Sequence, residues 1–467
     1  MSDATETAPP MTGAPYAESE PPTAAARAGM LERYFQLSAH GTSVRTEIIA
    51  GLTIFATMAY VLAVNPMILA NTGMPLAPLI TVTALAAAIS CIAMGLISNY
   101  PLALAPHMGA NAFFTYQVCL GMKIPWQAAL GFVFYNAILF FILAATGIRE
   151  MLIRAFPPFL RAGITAGIGL FIAFIGLHTG GVIVTDKETF VALGRVASSE
   201  CVLVLAGLVL MSVLLLRGFR MSIILTIVVL TIAGFFLPAA DGLGHITPLP
   251  SGFVSLPTSI TPLFLHLDLT YPLHHFQKAF PVILALLFTD FFCCFAAQLA
   301  ICQRAGLLDA NSNLPGMRRA LCIDASAAGV GALLGTSTTG VYIESAAGVE
   351  QGGRTGLTVV VTGLCFVVAL LLNPLIQIIP AAATAPALIL IGIFMMQELT
   401  KQNFTDLAQA TPAILTTVLM PLATISDGIA IGFLAHVAIQ IGIGNARRLP
   451  VFSLVLAALF LLHYVFA

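Results

Sequence analysis

Charge is what this sequence has least of. Lys, Arg, Asp and Glu make up 8% of the chain, against about a quarter of a soluble domain, and the net charge is −1. So little charge cannot keep a fold of this size in water, and a balance so near neutrality excludes the basic footprint of a nucleic-acid binder. Tryptophan is nearly absent as well. Trp126 stands alone, so no indole belt marks the membrane borders. The eight cysteines, among them Cys91, Cys119, Cys293, Cys294 and Cys365, lie mostly in apolar runs without zinc-type pairing or secreted-disulfide spacing. They read as small buried hydrophobes, with Cys293 the exception. No metal site and no cofactor are expected. H-E-x-x-H and G-x-S-x-G are missing, which leaves no catalytic constellation and argues against an enzyme. The turn GVEQGGRTG (Gly348–Gly356) lacks the Lys-Ser/Thr ending of a phosphate loop.

What the chain has is apolar length. It is 59% hydrophobic with a mean hydropathy of +1.00, the signature of an all-α polytopic membrane protein. Residues 1–43 differ: the Pro-, Ala-, Thr- and Glu-rich start reads as a disordered and juxtamembrane tail, not a signal peptide. Apolar spans fall near 45–68, 77–98, 126–147, 158–178, 200–217, 221–239, 278–301, 315–334, 355–377, 382–398 and 449–466. The stretches 101–121 and 336–352 are too short and polar for ordinary spans. The stretch 405–443, with Pro421 and Ser426–Gly428, is one broken span or two. Taken as one, it brings the total to about fourteen elements.

Arg149, Arg154, Arg161, Arg217, Arg220, Arg304, Arg318 and Arg319 fall in alternate connections, which places the N-terminus in the cytoplasm of a multi-pass cell-membrane protein. Arg447 and Arg448 fall on the other side, so either the count of spans fails there or 405–443 crosses twice.

The two short stretches, NYPLALAPHMGANAFF and LLGTSTTGVYIESAAG, are alike: an extended piece, then Pro or Gly, then a short helix. Asn111 and Glu344 take similar places, 233 positions apart, and the same shift superposes the flanking spans. The chain divides into a first repeat (44–239), an extracytoplasmic connection (240–277) and a second repeat (278–467). About seven elements in each makes the repeats inverted. Inverted repeats with a broken helix in each mark a secondary transporter with its site near the midplane, where irregular backbone survives only if it is buried or lines a cavity.

The segments TEIIAGLTIFATMAYVLAVNP (Thr46–Pro66), APHMGANAFF, LLFTDFF (Leu286–Phe292) and GTSTTGVYIESAAGVEQGGRTGLT (Gly335–Thr358) resemble the AzgA-like hypoxanthine/guanine/adenine permeases. These are a branch of the nucleobase–ascorbate transporter (xanthine/uracil permease) superfamily. The resemblance covers nearly everything after residue 44. It implies fourteen helices in two inverted sevens, core and gate domains, two half-helix segments crossing as short strands at the midplane, and proton-coupled purine uptake. Its substrate site maps to Asn111, Asp290 and Glu344, aided by strand backbone. The family usually has Gly where His107 stands, and a second Asp and a Thr where Cys293 and Cys294 stand.

The residues themselves carry the same chemistry. Glu344 can accept two N–H donors from a purine edge and carry the coupled proton; the alternative is a helix cap or a bond to Ser337 or Thr338. Asp290, mid-span at a cost of about 3 kcal/mol, is a second substrate or proton group, unless it makes an interhelical bond. Cys293, one turn on, shares its face, and Gln298, two turns on, is a further neutral partner. The Asn111 amide can donate and accept against a purine edge at a short helix's N-terminus, or cap locally. His107 contacts substrate, titrates near neutrality, or bonds neighbouring backbone. Asp324 is expected to pair with a cytoplasmic base. Asp427 reads as an N-cap or a gate residue.

The leading function is proton-coupled purine import, with lipid, protons and a nucleobase as partners and a homodimer left open. Transport of xanthine, uracil or another nucleobase-like solute is the alternative within this class. A channel or anion exchanger on the same fold is the other.

Overall fold

The computed structural model describes residues 29–146, 156–186, 190–239, 244–250, 252–308 and 314–466. Arg149 and Arg154 of the charge argument, and most of the expected disordered tail, lie outside the described residues. After a short surface helix α1 (Met30–Phe35), one crossing is built from α2 (Val44–Met58) and α3 (Val61–Ala70), interrupted at Ala59 and Tyr60. Then come α4 (Leu76–Ser98), β1 (Leu104–Pro106), α5 (Met108–Ala112) with a π-helical continuation (Phe113–Gly121), α6 (Trp126–Thr146) and α7 (Pro158–Thr179). A hairpin of β2 (Ile183–Asp186) and β3 (Phe190–Leu193), which the sequence did not suggest, precedes α8 (Ser199–Leu216) and α9 (Ser222–Gly234). The second half holds α10 (Phe276–Arg304), α11 (Met317–Leu334), β4 (Thr339–Val341), α12 (Ser345–Glu350), α13 (Gly356–Ala369), α14 (Ala381–Met396), α15 (Leu407–Leu422), α16 (Ile425–Gly442) and α17 (Val451–Phe466).

Among the described residues, nine helices are long and apolar enough to cross a membrane, and three shorter ones are also apolar. They pack in two groups. In one, α13 lies against α2 and α4, and α6 against α10 and α11; in the other, α7 lies against α14 and α15, and α14 against α8. Lipid tails give no hydrophobic drive between helices, so close backbone approach has to supply the packing. At the α4–α13 crossing a Cβ on Gly356 would stand 2.0 Å from the Gly95 carbonyl oxygen, so only glycine fits there.

The stretch 405–443 is two helices, not one broken span. α15 ends at Leu422, and Thr424 opens α16 by accepting from the Asp427 amide, 3.0 Å. α15 and α16 pack on each other as a hairpin, so the chain returns to the side it left, and the segment at Arg447 rejoins the side of Lys401. That makes fifteen elements among the described residues where about fourteen are expected, and it removes the Arg447–Arg448 conflict. The N-cap is Thr424 and not Asp427, because Asp427 sits a turn inside. Its carboxylate accepts from the Thr424 hydroxyl (2.6 Å) and the Tyr464 hydroxyl (2.8 Å).

One end of the bundle gathers the basic residues: Arg220 and Arg304 both pair with Glu350, each at 3.4 Å. The opposite end carries the described part of the 240–277 connection, where Leu265 donates its amide to Leu333 and Asp268 its amide to Gln127. Asp268 also accepts from the Thr270 hydroxyl and from the Thr270 and Tyr271 amides. Those bonds, the hydroxyl's first, hold its carboxyl below the usual range.

Glu47, at the start of α2, is fully buried. It accepts from the Arg354 amide (2.8 Å), from the amide and hydroxyl of Thr355 (3.4 and 2.9 Å), and from the amide and hydroxyl of Thr358 (3.1 and 2.5 Å). This carboxylate fastens the glycine turn and the start of α13 to the first crossing.

Candidate substrate and proton site

Strands β1 and β4 meet antiparallel, Leu104 opposite Val341, Ala105 opposite Gly340 and Pro106 opposite Thr339. A two-stranded ribbon at membrane depth must satisfy its backbone within the protein, and neighbouring groups do so. The His107 amide donates to the Thr338 carbonyl (2.9 Å), the Tyr342 amide to Ala103 (2.9 Å), and the Tyr342 hydroxyl to Pro106 (2.5 Å). The Ala103 and Leu104 amides reach Ser345 Oγ (3.0 Å) and Cys91 Sγ (3.2 Å). Gly340 is required because a Cβ there would lie 2.7 Å from Cys294 Sγ and 3.5 Å from the His107 ring.

The residue before each half-helix is the residue of interest. His107 precedes α5 and Glu344 precedes α12, 237 positions apart. Counted from the heads of the half-helices, His107 takes the place of Glu344, and Asn111 lies about one turn further along. The sequence offset misleads because the loops between elements differ in length. Glu344 makes no side-chain cap bond. Nor does it meet Ser337 or Thr338. It accepts from the Tyr60 hydroxyl at 2.5 Å, and Tyr60 stands at the break in the first crossing.

Asp290 is buried on α10, where its Oδ2 accepts from Asn136 Nδ2 of α6 (2.7 Å) and from the Thr338 hydroxyl (2.8 Å). Its Oδ1 has no partner among the described residues. Asp290 and Glu344 thus flank β4, one held just before the strand and one just after it. Cys293 is partly buried and Cys294 fully so, with the Cys294 sulfur against Gly340.

Asn111 is placed differently from a free purine contact. It donates to the Asn65 side-chain oxygen Oδ1 and accepts from the Ser337 hydroxyl, and all three side chains are buried. Asn65 also donates to Thr83 (2.8 Å) and Thr336 (3.3 Å). With both ends engaged, the Asn111 amide pins the approach to β4. The Nδ1 of His107 has no partner among the described residues.

Asp324 pairs with no base among the described residues. Arg318 and Arg319 stand six and five residues before it, off its helical face, and both are exposed. Asp324 is fully buried and accepts from Gln298 Nε2 at 3.0 Å. That takes Gln298 away from Asp290 and gives it to a second carboxylate.

Gln117 was not singled out by the sequence. Its Nε2 donates to the Met420 carbonyl (3.1 Å), and its Oε1 accepts from the Ile425 amide (2.7 Å). It ties the π-helical segment to the tip of the α15–α16 hairpin. Tyr60, Asn65 and Asn136 were also passed over, and a lone polar residue inside an apolar run was the signal available for each.

This architecture is similar to that of a solved structure, the transmembrane domain of a cyanobacterium bicarbonate transporter BicA. The TM-score is 0.60 at 14% identity, covering 82% of this chain and 96% of that one, a likeness that speaks for the fold alone. The sequence profile of the Permease family matches residues 45–429. The chain belongs to that family. Among its relatives, the adenine permease AdeP of Escherichia coli (strain K12) is 40% identical over 439 residues, 94% of this chain and 96% of AdeP. The guanine/hypoxanthine permease PbuG of Bacillus subtilis (strain 168) is 38% identical over 446 residues, 93% of this chain and all of PbuG. Membership of the Permease family makes the chain a multi-pass membrane transporter, and the groups around β1 and β4 are then candidates for what it carries.

Proposed function

We propose that this permease imports a purine nucleobase (hypoxanthine, guanine or adenine) together with protons, with its N-terminus in the cytoplasm. The observation that carries the reading is the pair of carboxylates on either side of β4. Glu344 and the unpartnered oxygen of Asp290 are acceptors at membrane depth, matched to a flat ligand rich in ring N–H donors. Relatives named for adenine and for guanine and hypoxanthine support the substrate class. Thr338, with the strand backbone, shapes the floor of the site. Asn111 holds that floor in place, and His107 faces it from the other strand. An anion exchanger would favour a basic or neutral site, and the side chains grouped here include two carboxylates, Asp290 and Glu344. The basic end of the bundle, with Arg220, Arg304, Arg318 and Arg319, faces the cytoplasm on this reading.

The test is uptake of labelled adenine, guanine and hypoxanthine by cells lacking their own purine permeases. Uptake should rise as external pH falls and collapse with a protonophore, because a carboxylate loaded with a proton alongside substrate ties accumulation to the proton gradient. Strict dependence on sodium at constant pH would overturn proton coupling.

Specificity is expected to turn on Cys293, on the face of Asp290. A thiol is a weaker acceptor than a second carboxylate, so donor-rich guanine should bind less tightly. The missing charged hydrogen bond is worth about 1.5–3 kcal/mol, or roughly tenfold to a hundredfold. Cys293→Asp, alone and with Cys294→Thr, should shift competition toward guanine. An unchanged competition profile at normal expression means position 293 does not set specificity.

A further inference from the structure

We infer that Asp324 is a second proton-carrying carboxyl of the transport cycle, placed on α11 behind Asp290 and outside the substrate's contacts. The inference rests on the proton-coupled reading above and extends it to a residue that touches no substrate.

The argument is a count of donors against acceptors. Asp290, Cys294 and Gln298 follow one another at i, i+4 and i+8 on α10 and share a face. Gln298 donates to Asp324 Oδ2, and the Cys294 thiol lies against the same carboxylate. Four acceptor oxygens in this wall, Asn136 Oδ1, Asp290 Oδ1, Gln298 Oε1 and Asp324 Oδ1, are buried without a donor among the described residues. Neither aspartate belongs to an ion pair among the described residues. A proton on a carboxyl turns an acceptor oxygen into an O–H donor, so each proton taken up removes one unmet acceptor from this wall. The titratable groups that act on Asp324 are Asp290 and Cys294, both on α10.

Glu47 shows what a structural buried carboxylate looks like in the same molecule. Both of its oxygens are met by donors from Arg354, Thr355 and Thr358. Asp324 has one amide donor, a weak thiol donor in Cys294 and an oxygen, Oδ1, with no partner among the described residues, an arrangement that leaves room for a proton to come and go. In the step, a hydronium ion from the outer solution protonates Asp290 or Asp324, forming a carboxyl O–H bond and leaving water. On the inner side that O–H bond breaks, the proton passes to water, and the carboxylate is restored.

The test uses the full chain reconstituted in proteoliposomes with labelled adenine and labelled hypoxanthine as probes. One arm measures accumulation driven by an inward proton gradient. The other measures counterflow against unlabelled base with no gradient. Asp324→Asn should lose accumulation at least tenfold while counterflow stays within about threefold, and Asp324→Glu should recover accumulation. Accumulation at the wild-type level in Asp324→Asn overturns the inference. So does loss of both activities in both variants at normal folded yield, which makes the residue structural. Wild-type protein that carries neither base in either arm defeats the purine reading itself, a different result.

Discussion

Glu344→Gln is expected to reach the membrane in normal amount and to lose nucleobase accumulation, by tenfold at least. The substitution keeps the volume of the side chain. It removes the charge and replaces one acceptor oxygen with an N–H₂ donor that faces the donors of a purine edge. A hydrogen bond to a charged group is worth about 1.5–3 kcal/mol, and a donor facing a donor adds to the loss. Tyr60→Phe is the companion variant. It keeps the carboxyl group and removes only the hydroxyl that steadies it at 2.5 Å, so its loss should be smaller and should fall on apparent affinity. Labelled uptake at matched expression, read as KM and maximal rate, separates the two. Near wild-type accumulation in Glu344→Gln would show that the residue is structural.

The second large effect concerns stability. Glu47→Ala should cost about 3 kcal/mol or more, because it leaves buried amide and hydroxyl donors of Arg354, Thr355 and Thr358 without an acceptor. Glu47→Gln, which keeps one carbonyl oxygen, should fall between. The measurement is the unfolding midpoint of the detergent-purified protein, together with its folded yield in membranes. The expected order is wild type, then Gln, then Ala. An Ala variant that melts with the wild type would mean the turn at 352–358 holds without its clamp.

Asp427 and Asp324 show where reading along the chain failed, and for the same reason. Each was assigned a partner near in sequence. Asp427 was given its own helix end, yet Thr424 caps that helix and Tyr464 of α17 reaches across to the carboxylate. Asp324 is expected to meet a cytoplasmic base, yet helical geometry turns it away from Arg318 and Arg319 and toward Gln298, 26 positions earlier. The Asn111–Glu344 equivalence failed through unequal loops, which shift a count of residues but not a place at the head of a half-helix.

The sequence alone determined the membrane class, nearly all of the spans, the two broken segments and the presence of carboxylates, Asp290 and Glu344, within or beside apolar runs. Those follow from local quantities: apolar length, scarcity of charge, and the cost of a carboxylate in an apolar run. Tertiary structure decided which acceptor meets which donor. Tyr60 reaches Glu344 from 284 positions away and Asn136 reaches Asp290 from 154. Asn111 is drawn to Asn65 and Ser337, and Glu47 gathers the turn before α13. Each pairing exists because a buried polar group must find a partner within hydrogen-bond reach, and across inverted, interleaved repeats that partner is set by how the helices pack, not by how the residues are ordered.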